Sequence, residues 1–255
     1  MNLLLSDPAF LSVVSGVSYD PDAANYIAAV ETADGQSLEA AVKDAINAFF
    51  VGCKADGTWR AIKASCILAG ARTLNGALVP LAGTAPTNIG PFVSGDYNRK
   101  TGLKGNGSTK RLDANRANNA DPQFNFSRCV YASEVDTGSA GRYVSTSNNF
   151  IQSATSFITV RANADSSQVI SGNINGFLGV SRASAASYSV RSANATTLQT
   201  VGSNFYSANT INIFGEGSNI SNARLSFYSI GESLNLALLD ARVTTLINAF
   251  SAAIP

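Results

Sequence analysis

The chain has 255 residues, 45% of them hydrophobic and only 14% charged, which excludes a disordered chain and leaves room for one large core with a small appendage. A formal net charge of +1 sets up no global field to recruit nucleic acid or acidic partners. Histidine is absent, which excludes His-dependent serine or cysteine hydrolysis and His-ligated metal centres.

Polarity divides the chain in two. Residues 131–230 hold 47 Ser, Thr, Asn or Gly and 9 charged residues, with no Pro and no Lys, behind an Ala-rich leader. Basic residues number 5 against 8 acidic in 1–95, and 12 against 7 in 96–231, so the second part is mildly basic. Such a composition suits a rigid scaffold that displays loops. Cys53, Cys66 and Cys129 are odd in number and lack C-x-x-C spacing, so buried free thiols are expected, although spacing leaves a Cys53–Cys66 bridge open. No metal or other cofactor is expected.

Residues 1–18 alternate small and apolar types and read as an N-terminal arm. The Leu3–Leu5 run is cut by Asp7 and Pro8 and has no basic flank. It fits neither a signal peptide nor a membrane span of about 20 apolar residues, so no membrane insertion is expected. Residues 19–79 read as a helical attachment region. Asp20 then Pro21 starts a helix carrying Tyr26, Ile27 and Val30 on one face, and Gly35 stops it. Ser37 is placed as the cap of a second helix, with Leu38, Val42, Ala45, Ile46 and Phe49 at helical spacing, ending at Gly52. A third helix is expected from Asp56 to about Gly70, with Trp59, Ile62 and Cys66 inward. Three such short helices need a β domain, a neighbouring subunit or a larger assembly to cover them.

Pro80, Pro86 and Pro91 with Gly83 and Gly90 mark a linker, 80–91. Beyond it the period falls toward two, and 92–255 reads as a two-sheet sandwich or jelly roll. Strand candidates are 109–113, 124–132, 142–145, 156–161, 176–182, 187–191, 196–201, 210–214 and 224–230. Leu236, Leu239, Val243, Leu246, Ile247 and Phe250 then define a closing helix, 235–250, capped by Asn235 or Ser233 and covering a sheet.

Few residues promise chemistry. Glu134 and Asp136, two apart on a strand, would share a face as a glycosidase acid pair does, but a turn follows at once and a third acid is missing at Gly138. Gly102–Lys110 lacks phosphate-loop spacing and reads as a tight hairpin with Asn106-Gly107 at its corner. Arg99, Lys100, Lys104, Lys110 and Arg111 form the one basic cluster. With only Tyr97 for stacking it reads as a solvated face, and no nucleic acid is expected. Two Asx-rich loops stand out: Asn118, Asn119 and Asp121 in one, and Asn204, Tyr206 and Asn209 in the other. Amides and carboxylates bond sugar hydroxyls and an aromatic face stacks on a pyranose ring, so these six are the candidate ligand-binding residues. The same types also build ordinary turns.

Residues 19–81, and especially the stretch GCKADGTWRAIKASCILAGARTLNGALVPLAGTAPTN that runs on to Asn88, resemble a family of tailed-bacteriophage virion proteins. So do SGDYNRKTGLKGNGSTKRLDANRANNADPQ and the closing ARLSFYSIGESLNLALLDARVTTLI. Together these cover about half the chain; residues 131–220 match only in pattern. The resemblance implies a concanavalin A-like (laminin G-like) jelly-roll β-sandwich with N-terminal helices and a C-terminal helix, carried on a phage particle made in the host cytoplasm. It implies a tail fibre or adhesin-type module binding host-surface glycan, partnered by other virion proteins and assembled as a homo-oligomer, trimer favoured. A module beginning so near residue 1 is expected to have no fibrous shaft. The alternatives are a capsid or tail decoration protein without a ligand, and a polysaccharide-degrading enzyme on the same scaffold.

Overall fold

The computed structural model describes residues 18–255 apart from 139, 148, 154, 155, 172–174 and 205. The expected arm therefore lies outside the described residues, save Ser18. Two helices come first, α1 (Pro21–Asp34) and α2 (Ala40–Ala55). Asp20 caps α1 with its carboxylate on the amides of Asp22 (3.0 Å) and Ala23 (3.5 Å), and Gly35 ends it at φ 67°. The second helix begins three residues after Ser37, with Glu39 at the cap and no side-chain hydrogen bond there. Strand β1 (Ile62–Ile67), the short helix α3 (Leu74–Ala77) and strands β2 (Thr87–Ile89), β3 (Tyr97–Asn98) and β4 (Gly102–Lys104) follow.

The long strands come next: β5 (Arg111–Ala117), β6 (Phe126–Glu134), β7 (Arg142–Thr146), β8 (Asn149–Ser153) and β9 (Phe157–Arg161). Then come β10 (Gln168–Ser171), β11 (Gly176–Arg182), β12 (Tyr188–Ser192), β13 (Ala195–Gln199), β14 (Thr210–Ile213) and β15 (Arg224–Gly231). Helix α4 (Leu236–Ala253) closes the fold, with the Asn235 side chain accepting from the amides of Ala237 and Leu238.

These strands make two antiparallel sheets. One runs β13-β12-β11-β6-β15-β4-β3, with β1 also paired to β15; the other runs β10-β9-β8-β7-β14-β5-β2. Strand β15 has β6 along one side, and β4 then β1 end to end along the other. The expected mainly-β sandwich with N-terminal helices and a closing helix is what forms.

Two cores share the first sheet. Alternating residues of β6 (Phe126, Val130, Ala132) and β11 (Leu178, Val180) meet Val144, Ile151, Ile158 and Ile213 of the second sheet. Their outward neighbours Cys129 and Phe177, with Phe227 of β15, instead meet Phe49, Leu239, Val243 and Phe250 of α2 and α4. The molecule is thus layered helix, sheet, sheet. Helix α4 has the length and apolarity of a membrane span, yet Leu239, Val243 and Phe250 are fully buried in this second core. The apolar faces of α1 and α2 are likewise taken up within the chain.

Three expectations change. The third helix is instead a single turn at Trp59–Ala61 followed by β1. Both faces of β1 are buried, Ala64 and Cys66 toward the sandwich and Ile62 and Ile67 toward the helices, so no period of two survives in the sequence. Part of the expected linker, 87–89, is strand β2 paired with β5. The Asn106-Gly107 turn is no hairpin corner either, because β4 and β5 belong to different sheets. It is an arch between them, held by the Asn106 Oδ1 accepting from the amides of Ser108, Thr109 and Lys110 at 2.9–3.0 Å.

All three cysteines are free and buried, and burial pushes each thiol up to about 12. At neutral pH they stay protonated and inert. A thiol reagent at pH 8 is expected to leave the native protein unlabelled and to modify all three after denaturation; rapid native labelling would contradict this packing. Phe227 is fully buried, 6.0 Å ring to ring from Phe49. Phe227→Ala should lower unfolding free energy by about 3–5 kcal/mol in urea titrations.

Candidate functional site

One end of the sandwich gathers the loops that follow β5, β9, β11 and β13. The Asn118 amide donates to the Asn209 carbonyl at 2.9 Å, which joins the two Asx-rich loops directly. Asn118 Nδ2 donates to Asn163 Oδ1 at 3.3 Å, and its own Oδ1 accepts from Arg128 Nη2. The Asn204 amide donates to the Asn163 carbonyl at 2.9 Å, and Ser203 Oγ donates to the same oxygen at 3.0 Å. Gln123 Nε2 spans to Ser203 Oγ (3.0 Å) and the Asn204 carbonyl (2.5 Å). Asn163, at φ 46° and 1% exposed, is therefore the knot of the cluster. Asparagine tolerates that left-handed backbone better than most residues.

Beneath it lies a buried guanidinium. Arg182 is wholly inaccessible, yet among the described residues it forms no ion pair with a carboxylate; it donates to the carbonyls of Ala162, Ser184, Ala185, Ser187 and Val201 at 3.0–3.3 Å. The Arg182 Cζ lies 5.0 Å from the Tyr188 ring centroid. Five donors in one rigid fork thus fix three loops at once. Burial lowers the Arg182 pKa. Arg128, also inward on β6, is pulled down to about 10 by burial and stays charged at neutral pH.

The six candidate residues separate into two groups. Asn118 and Asp121 are buried, at 3% and 4% exposure, and Asp121 holds Arg116 through two contacts of 3.0 and 2.5 Å. Their polar atoms are committed to the scaffold. Asn119, Asn204 and Asn209 are exposed and Tyr206 is half-buried. Asn204 Nδ2 donates to Asp165 Oδ1, and Asn209 Nδ2 to Ser147 Oγ at 2.7 Å. One donor of each amide fixes its plane while its other polar valences face solvent. Asn163, Asp165, Gln123 and Arg182 went unnoticed in the sequence. The signal for Arg182 was its place in phase with Leu178 and Val180 on an alternating strand.

The other motifs resolve differently. Glu134 ends β6, where Lys104 Nζ (2.6 Å) and Arg224 Nε (2.7 Å) hold its carboxylate and lower its pKa. Asp136 lies beyond the strand, 3% exposed, accepting from Ser221 Oγ (2.6 Å) and the Asn222 amide (2.7 Å). The strand ends at Glu134, and the two carboxylates are held by different partners. In the basic cluster, Arg99 pairs with Glu39, Lys104 with Glu134 and Lys110 with Asp96. Among the described residues, no group of three or more Cys, Asp or Glu stands where it could hold a metal ion.

No family model and no curated protein sequence matches the chain. Its fold is similar to solved structures. A single-substitution mutant of HCR/D superposes with a TM-score of 0.51 at 9% identity, covering 71% of this chain and 51% of that one. The binding domain of botulinum neurotoxin serotype D superposes at 0.49 and 10% identity, covering 72% and 51%. The chain thus spans about half the length of these structures, and identity this low speaks to fold alone.

Arg182→Met should cost about 3 kcal/mol or more, since buried carbonyls left without a donor cost about 1–3 kcal/mol each. Urea unfolding checks the loss, and hydrogen exchange should show the Ser203 amide, now bonded to the Ala185 carbonyl at 2.7 Å, losing protection. A loss below about 1 kcal/mol would remove Arg182 as the organiser of this end.

Proposed function

We propose that the chain is a glycan-binding structural module of a tailed phage particle, and that it binds through the loop end of the sandwich rather than by catalysis. The observation that carries the binding reading is the fixed display of Asn119, Asn204, Tyr206 and Asn209 around Asn163 and Arg182. Primary amides supply paired donors and acceptors that match neighbouring sugar hydroxyls, and a half-buried tyrosine offers an apolar ring with a polar tip. Because internal hydrogen bonds already orient the Asn204 and Asn209 amides, a ligand has less ordering to impose on them. Asn118 and Asp121 support the site from below. The different partners that hold Glu134 and Asp136 weigh against the carboxylate pair on which the enzyme alternative rested.

The particle assignment rests on the sequence resemblance. In this reading each copy binds weakly, and a symmetric homo-oligomer, trimer favoured, multiplies the contacts into useful avidity. The helices, whose apolar faces are covered in the chain, attach to other virion proteins through their polar surfaces.

Two measurements test this. Mass spectrometry of gradient-purified particles should find the chain at stoichiometric copy number. On a glycan array the protein should retain a defined set of sugars, and Asn204→Ala with Asn209→Ala, or Tyr206→Ala, should weaken that binding at least tenfold with unchanged circular dichroism. A chain present on particles but blank on the array is a decoration protein, and the glycan reading fails.

A further inference from the structure

The chain has one tryptophan, and it stands in a groove. Gly57, at φ 71°, turns the backbone after α2, and the Thr58 amide returns to the Cys53 carbonyl at 2.9 Å. That turn seats the Trp59 indole on Phe50, centroid to centroid 4.6 Å at 57°, and leaves the residue half-buried. Two depressions meet there, of about 470 and 280 Å³, with Asp22 and Trp59 in the lining of both. Lys54 and Arg60 complete the first, and Asn25 and Pro80 stand in the second.

The polar groups around the indole are set in advance. Lys54 Nζ bridges Asp20 (2.6 Å) and Asp22 (2.7 Å), locking the start of α1 to the end of α2. The Asp22 side chain is nevertheless 48% exposed, and Arg60 is exposed beside it. A flat aromatic wall, a carboxylate acceptor and two cationic donors therefore converge on one concavity. Asp20 and Asp22 balance Lys54 and Arg60, so the groove has no net charge to favour an anion.

We infer that the Trp59 groove is a second saccharide-binding subsite, selective for neutral pyranosides. The apolar C–H face of the sugar lies on the indole, and adjacent hydroxyls donate to Asp22 and accept from Lys54 and Arg60. None of the loop-end residues takes part, so either site can fail while the other stands.

Because Trp59 is the sole tryptophan, its emission reports on this groove alone. The full chain would be titrated with glucose, galactose, mannose and their linear oligomers. A saturable emission shift is expected, together with reduced quenching by acrylamide. Arg60→Ala and Asp22→Asn should each weaken the apparent affinity about tenfold, whereas the Asn204→Ala, Asn209→Ala double variant should leave the titration unchanged. Emission that no neutral sugar perturbs, or a Trp59 that acrylamide cannot reach in the free protein, overturns the assignment. Saturation only with sialylated or sulfated sugars overturns its selectivity.

Discussion

A sheet with two apolar faces must be covered twice, and the first sheet of this chain is such a sheet. Strand β15 shows the constraint at its strictest: Leu225, Tyr228 and Ile230 enter the sandwich while Phe227 enters the helical layer. The second sheet covers one face; α1, α2 and α4 cover the other. The helices are therefore part of the fold's own hydrophobic economy rather than an independent appendage. Their contribution to any assembly has to come from what they leave outside, where ion pairs join Lys43 to Glu31, Lys54 to Asp20 and Asp22, and Arg242 to Asp56, beside the exposed Val51 and Leu238.

The loop end obeys a different rule. A sandwich rim built from Ser, Asn and Ala has little apolar surface to bury, so hydrogen bonds must define its shape. Burying an unpaired guanidinium is costly, yet Arg182 offsets the cost by donating from all three of its nitrogens to loop carbonyls. The result is a rim whose shape is set by hydrogen bonds in a region of small polar residues.

How far the sequence foretold this depends on burial pattern. Helix α1 announced itself through Asp20, Pro21 and Gly35, and β11 was read at its true limits because its flanks are turn residues. Strand β1 misled because covering both faces replaces alternation with an apolar run, and Ile62 and Cys66 then sit at helical spacing by coincidence. Strands β2 to β4 are two or three residues long among prolines and glycines, below the length at which any period shows. At the rim, the Asx composition picked out two loops that the fold brings together at one end of the sandwich. It did not separate the buried Asn118 and Asp121 from the exposed Asn119 and Asn204, because a side chain's solvent access is decided by distant neighbours such as Arg128.

The pairing of β1 with β15 joins residues far apart along the chain: Ser65 Oγ donates to the carbonyl of Tyr228 across 163 positions. On the ribosome, β1 has no β15 to pair with until residue 231 has emerged, and until then Ile62 and Ile67 lack one of their permanent neighbours. Contacts this non-local slow folding toward about the millisecond-to-second range, and the apolar residues of β1 stay uncovered for that interval.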